Sequence, residues 1–131
     1  MSLLGDKSHI VIKYKKKTII GLVEHVKIFS SSGKSKNVLA RIDTGATKSS
    51  IDVRLAAALA LGPITKTKIV KSASGQSRRA VVDARIYLAG TDIKSEFTLA
   101  DRSGMKYPIL IGQNILSKGF LVDPSKESPR R

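Results

Sequence analysis

The chain of 131 residues contains no cysteine and no tryptophan, and only two histidines. Without cysteine there is no disulfide and no thiolate metal site, which fits a reducing compartment. The histidines, His9 and His25, are far apart, and no His-Glu-x-x-His stands in the sequence. A zinc site needs three or four ligands, so none is expected. A phosphate loop of the form Gly-x-x-x-x-Gly-Lys-Ser/Thr is also missing, so neither ATP nor another cofactor is expected. Three Tyr and three Phe are scattered along the chain. Binding of single-stranded nucleic acid requires aromatics gathered on one face, so a basic nucleic-acid-binding β-barrel is the weaker alternative. No apolar run approaches the roughly 20 residues of a membrane span. With no apolar leader either, the expectation is a cytoplasmic protein with no membrane partner. Acids are scarce as well: ten Asp+Glu face 24 Lys+Arg, giving a net charge of +14. A field of that sign attracts acidic partners.

Against these absences stands a hydrophobic fraction of 41%, enough for one folded domain of this length. The expected organisation is a flexible N-terminus over residues 1–7, a domain over 8–123, and a flexible C-terminal tail over 124–131. Alternating apolar residues predict strands over Ser8–Tyr14, Thr18–Phe29 with a bend at Gly21, and Asn37–Ile42. Asp52 is a candidate N-cap for a short helix, Val53–Leu61, stopped by Gly62-Pro63. Strands Thr65–Ser72 and Arg78–Leu88 flank a small polar tip, Ala73-Ser74-Gly75-Gln76-Ser77, and so predict a long basic hairpin. Thr91–Leu99, Tyr107–Gly112 and Phe120–Val122 are further strands, with one helical turn over Gln113–Leu116. Many short strands and one short helix predict an all-β, barrel-like single domain.

The segment Ala40–Ile51 carries the chemistry. An apolar run delivers Asp43 to its end, and Thr44-Gly45 turns the chain. An acid fixed there can acquire a catalytic role. Asp-Thr-Gly alone is commonly an Asx turn, and Gly112 or Ser74-Gly75 alone a plain turn. Together they say more. Ile42-Asp43-Thr44-Gly45-Ala46 resembles the catalytic loop of retropepsins, the homodimeric aspartic proteases. Pro108–Leu116 resembles that family's second landmark, two apolar residues plus glycine before a short helix, and the basic hairpin lies where the family has its flap. Within retropepsin-like proteins, Leu99-Ala100-Asp101-Arg102-Ser103 with Met105 and Pro108, followed by Phe120–Pro124, resembles the branch often labelled ATP-dependent zinc protease, which is associated with RimK-type ATP-grasp glutamate ligases. The residues favour neither half of that label.

The resemblance implies a retropepsin-like barrel and an aspartic peptidase working as a homodimer. Asp43 would be the catalytic acid, with Thr44, Gly45 and Ala46 as active-site loop. Leu110, Ile111 and Gly112 would support that loop, and Ser74 and Gly75 would form the flap tip. The chain supplies one such aspartate, whereas two carboxyls must share a proton, so a second copy is required. Two positions depart from the usual pattern: Thr47 and Gln113 stand where many retropepsins pair an Asp with an Arg. The cations Lys66, Lys68, Lys71, Arg78 and Arg79 on the hairpin predict a preference for acidic, glutamate-rich peptides or tails. A catalytically silent binding module is the main alternative, and the intact Asp43 weighs against it.

Overall fold

The computed structural model describes residues 11–73 and 75–129. Its sequence-alternating segments fold into strands whose apolar positions point to one centre. β1 (Ile12–Tyr14) and β2 (Lys17–Ile20) form a tight hairpin in which Lys15 and Lys16 both take positive φ, as a two-residue turn of this hand requires. β3 (Val23–Phe29) follows after a break at Gly21 and Leu22, and pairs antiparallel with β4 (Ser35–Ile42). The expected bend at Gly21 is therefore a full strand boundary. Residues 8–10 of the expected first strand lie outside the described residues.

β5 (Ser49–Asp52) was not legible as a strand, yet all four of its residues are buried. Asp52 then caps α1 (Val53–Ala58), its carboxylate accepting from the Arg54 N–H. Leu55, Ala56 and Leu59 face the core. The helix stops earlier than expected, because Ala60 adopts positive φ and the Leu61 N–H returns to the Ala56 carbonyl.

β6 (Lys66–Ser72) and β7 (Gly75–Leu88) make the long hairpin. Its tip is tighter than the sequence suggested. Ser72 pairs with Gly75, which takes a positive φ of 116°, so Gln76 and Ser77 belong to the ladder. β8 (Thr91–Ala100), β9 (Ile109–Ile111), α2 (Gln113–Leu116) and β10 (Phe120–Val122) complete the chain.

Six strands close on themselves in the order β3-β4-β9-β5-β8-β7, with β7 pairing back to β3. β6 continues outward from β7 as the arm of the hairpin. β1, β2 and β10 form a separate three-stranded sheet, β10 running parallel to β2. Among the described residues the fold is therefore all-β, a closed six-stranded barrel with two short helices. Ile20, Ile28, Ile42, Ile51, Ile86 and Phe97 are among the buried side chains that fill it. Residues after the last strand lie against the barrel: the Lys126 ammonium meets the buried Glu24 carboxylate at 2.8 Å, and Glu24 also accepts from the Gly21 N–H.

Candidate active site

β4 ends at Ile42, whose partner in the ladder is Ile111 of β9. The next amide continues that ladder: the Asp43 N–H donates to the Ile111 carbonyl at 2.9 Å. The backbone under Asp43 is thus held by the barrel, while its half-buried side chain stands at the rim. Asp43 Oδ1 accepts the Gly45 N–H at 2.9 Å, and the Ala46 N–H turns back to the Asp43 carbonyl. This is an Asx turn, the ordinary expectation for Asp-x-Gly. It aims the carboxylate while leaving its other oxygen without a hydrogen bond among the described residues.

Leu110, Ile111 and Gly112 lie beneath the loop. Gly112 is buried where no side chain fits, since an added Cβ would overlap the Lys48 carbonyl group and come 2.8 Å from the Ala46 oxygen. α2 then ties the loop down. The Gln113 N–H donates to the Ala46 carbonyl, and the Gln113 side-chain amide donates to the Thr44 carbonyl at 2.8 Å. Gln113 therefore holds the loop through its backbone, without the Asp–Arg pair seen in many retropepsins. Thr47 contributes its carbonyl to the Asn114 N–H.

A polar network that the sequence did not reveal sits behind this loop. The Ser49 hydroxyl donates to Asn114 Oδ1 and accepts the Gly112 N–H. Asn114 donates in turn to the Ser95 hydroxyl and the Glu96 carbonyl. One side-chain amide so joins α2, β5 and β8. Ser49 and Asn114 are 65 residues apart in sequence, and neither residue type announces such a contact.

The five hairpin cations do not act as one set. Register places Lys66 opposite Val81 and Lys68 opposite Arg79, so these side chains share one face. That face turns toward the barrel: Lys66 and Lys68 both bond Glu96 of β8, and Arg79 is half-buried. Lys71 and Arg78 belong to the opposite, exposed face, where Arg78 meets the Thr67 hydroxyl. Gly75 lies at the tip, and Ser74 lies outside the described residues.

Arg102 is a further cation at the site, from the segment after β8. Its Nε donates to the Tyr107 carbonyl, and its backbone N–H donates to Asp52 Oδ1. Burial lowers its pKa from the ordinary value, Arg79 acts in the same sense, and the carboxylates of Asp52 and Asp43 oppose both. It remains charged, and it is close enough to Asp43 for their charges to interact. The Leu99–Ser103 motif contained this residue, but nothing in the sequence aimed it at Asp43. His25 is a half-buried residue of β3, and His9 lies outside the described residues. No group of His, Asp or Glu with metal-binding geometry occurs among the described residues.

Known structures share this architecture. The EIAV protease solved with an inhibitor superposes with a TM-score of 0.59 at 18% identity, over 82% of this chain and 92% of that one. A Legionella pneumophila protein of unknown function superposes with a TM-score of 0.58 at 22% identity, over 84% and 95%. The barrel is thus of the retropepsin type. Residues 56–131 match the family model described as RimB-like, retropepsin-like aspartic endopeptidase RimB, and the chain belongs to that family. A 58-residue stretch is 40% identical to part of a probable alpha-L-glutamate ligase from Shewanella pealeana, covering 44% of this chain and 13% of that protein. The chain thus spans only a small part of that curated relative's length.

Proposed function

We propose that the chain is an aspartic peptidase that works as a homodimer, with Asp43 of each copy forming the catalytic pair. The observation that carries this reading is the setting of Asp43: backbone in the barrel ladder, carboxylate aimed by Gly45, and Gly112 packed directly beneath the loop. Two such carboxyls a few ångströms apart cannot both ionise. The ionised one takes a proton from water, the water oxygen attacks the scissile carbonyl carbon, and the protonated one gives its proton to the carbonyl oxygen. Thr44 would join the two loops, Gly45 would meet substrate backbone, and Ser74 and Gly75 would close over it.

The second copy has a surface to use. Val11, Ile12, Tyr14 and Leu121 are exposed apolar residues on or beside the small β1-β2-β10 sheet. Lys66, Lys68 and Arg79 on the barrel-facing side of the hairpin, with Arg102, favour acidic peptides, and the ligase relative makes glutamate-rich tails a coherent substrate. The test compares hydrolysis of oligoglutamate-tailed and neutral peptides by the protein and by Asp43→Asn. Cleavage of the acidic peptide, suppressed by salt and abolished in Asp43→Asn without loss of folding, is the expected result. Undiminished cleavage by Asp43→Asn removes Asp43 from the chemistry. Binding without cleavage by the unaltered protein favours a silent binding module.

A further inference from the structure

Three ammonium groups gather round one carboxylate beside the loop that bears Asp43. Strand register produces the cluster. Ser49 of β5 pairs with Phe97 of β8, which sets Lys48 beside Glu96. The hairpin then brings Lys66 Nζ to 2.6 Å from Glu96 Oε2, and Lys68 Nζ to 3.1 Å from Oε1. The Lys48 ammonium is in turn close enough to that of Lys68 for the two charges to interact, which lowers the Lys48 pKa. Lys48 itself has no ion pair with a carboxylate among the described residues.

One acid does not balance three ammonium groups. Lys48 and Lys68 stand at a range where like charges repel unless an anion lies between them. Lys68 is only 27% exposed, so water screens it less than it would a free surface lysine. The three lysines also come from two separate elements, the Asp43 loop and the hairpin, so their convergence follows from the fold and not from a local run of basic sequence.

We propose that Lys48, Lys66 and Lys68 form a subsite for a side-chain carboxylate of an acidic peptide, and that Glu96 occupies it in the unliganded protein as an internal competitor. An incoming carboxylate replaces Glu96 on Lys68 and bridges to Lys48, gaining two charge-assisted hydrogen bonds. Glu96 keeps Lys66, so the hairpin stays tethered to β8. The inference rests on the peptidase reading only in calling the peptide a substrate, since binding of the carboxylate needs no hydrolysis.

The experiment measures binding of fluorescein-labelled hexaglutamate and hexaglutamine to the Asp43→Asn protein at low salt, with thermal melting confirming the fold of each further variant. Lys48→Ala and Lys68→Ala are each expected to weaken hexaglutamate binding about tenfold, the order of one charge-assisted hydrogen bond. Lys71→Ala, on the far face of the hairpin, is expected to have a much smaller effect. Glu96→Gln is expected to tighten binding several-fold. Asp92→Asn removes an equal charge from the exposed Arg85 pair and is expected to change little. Hexaglutamine binding stays weak throughout. Equal tightening by Glu96→Gln and Asp92→Asn, or equal weakening by Lys48→Ala and Lys71→Ala, reduces the effect to the overall field and overturns the subsite. So does failure of hexaglutamate to bind. Neutral-peptide cleavage by the unaltered protein alongside that failure would leave the peptidase reading standing, whereas the expected binding pattern without any hydrolysis would remove that reading and keep the subsite.

Discussion

Gly112 shows how a residue far from Asp43 in sequence governs it. Its α-carbon is packed against the carbonyls of Lys48 and Ala46, both backbone groups that cannot swing aside as a side-chain end would. Gly112→Ala is expected to displace the Asp43 loop and cost on the order of 1–3 kcal/mol in urea unfolding, typical of overpacking. Ala at Gly104, where nothing lies within 4 Å, is the matched control and should leave stability nearly unchanged. Asp43, Gly45 and Gly112 were legible because each belongs to a local pattern: acid before a turn glycine, or glycine after an apolar strand. Ser49 and Asn114 were not, because their meaning lies in a contact across 65 residues. No local pattern marked Lys48 or Glu96 either, because their setting depends on the pairing of β5 with β8 and on the hairpin lysines.

Among the elements, β5 was invisible and α1 was plain. Ser49-Ser50-Ile51-Asp52 has the composition of a loop, and its strand form comes from being clasped between β8 and β9. Asp52 was recognised through its capping role. The structure adds that the same carboxylate receives the Arg54 guanidinium and the Arg102 N–H, so it fastens α1 to the segment carrying Arg102. The Arg54 hydrogen bond, with those backbone donors, holds the Asp52 pKa well below the usual carboxylate range, and burial opposes them. A depressed folded-state value means stability that is present above the unfolded pKa of about 4 and lost as pH falls below it. Urea midpoints measured from pH 6 to pH 3 should therefore drop, and Asp52→Asn should start lower and fall less steeply over that window. An equally steep fall in the variant would assign the acid sensitivity elsewhere. The hairpin was legible in outline, but its face assignment was not, since the true tip at Gly75 sets which cations point toward the barrel.

For the whole molecule, alternation and turn signals were enough to give an all-β barrel, whereas ring closure through β3 and β7 depends on pairings no local pattern encodes. The exposed apolar edge of the β1-β2-β10 sheet bears on assembly. Light scattering is expected to show a mass rising with concentration toward twice 14.1 kDa, and Leu121→Glu should shift that rise to higher concentration. A mass profile unchanged in the variant would place the contact on another surface. The long strand β7 has its own mechanical consequence. From Val81 to Leu88 it is paired with β8 in the barrel wall, while from Gly75 to Ala80 only β6 accompanies it. The hairpin is thus a cantilever, clamped at Val81 and about 20 Å long at the usual rise per residue. A tilt of about 10° at the clamp would carry its tip by about 3–4 Å over an arm of that length. The Glu96 tether grips Lys66 and Lys68, close to the root, so it stiffens the clamp while leaving the tip its travel.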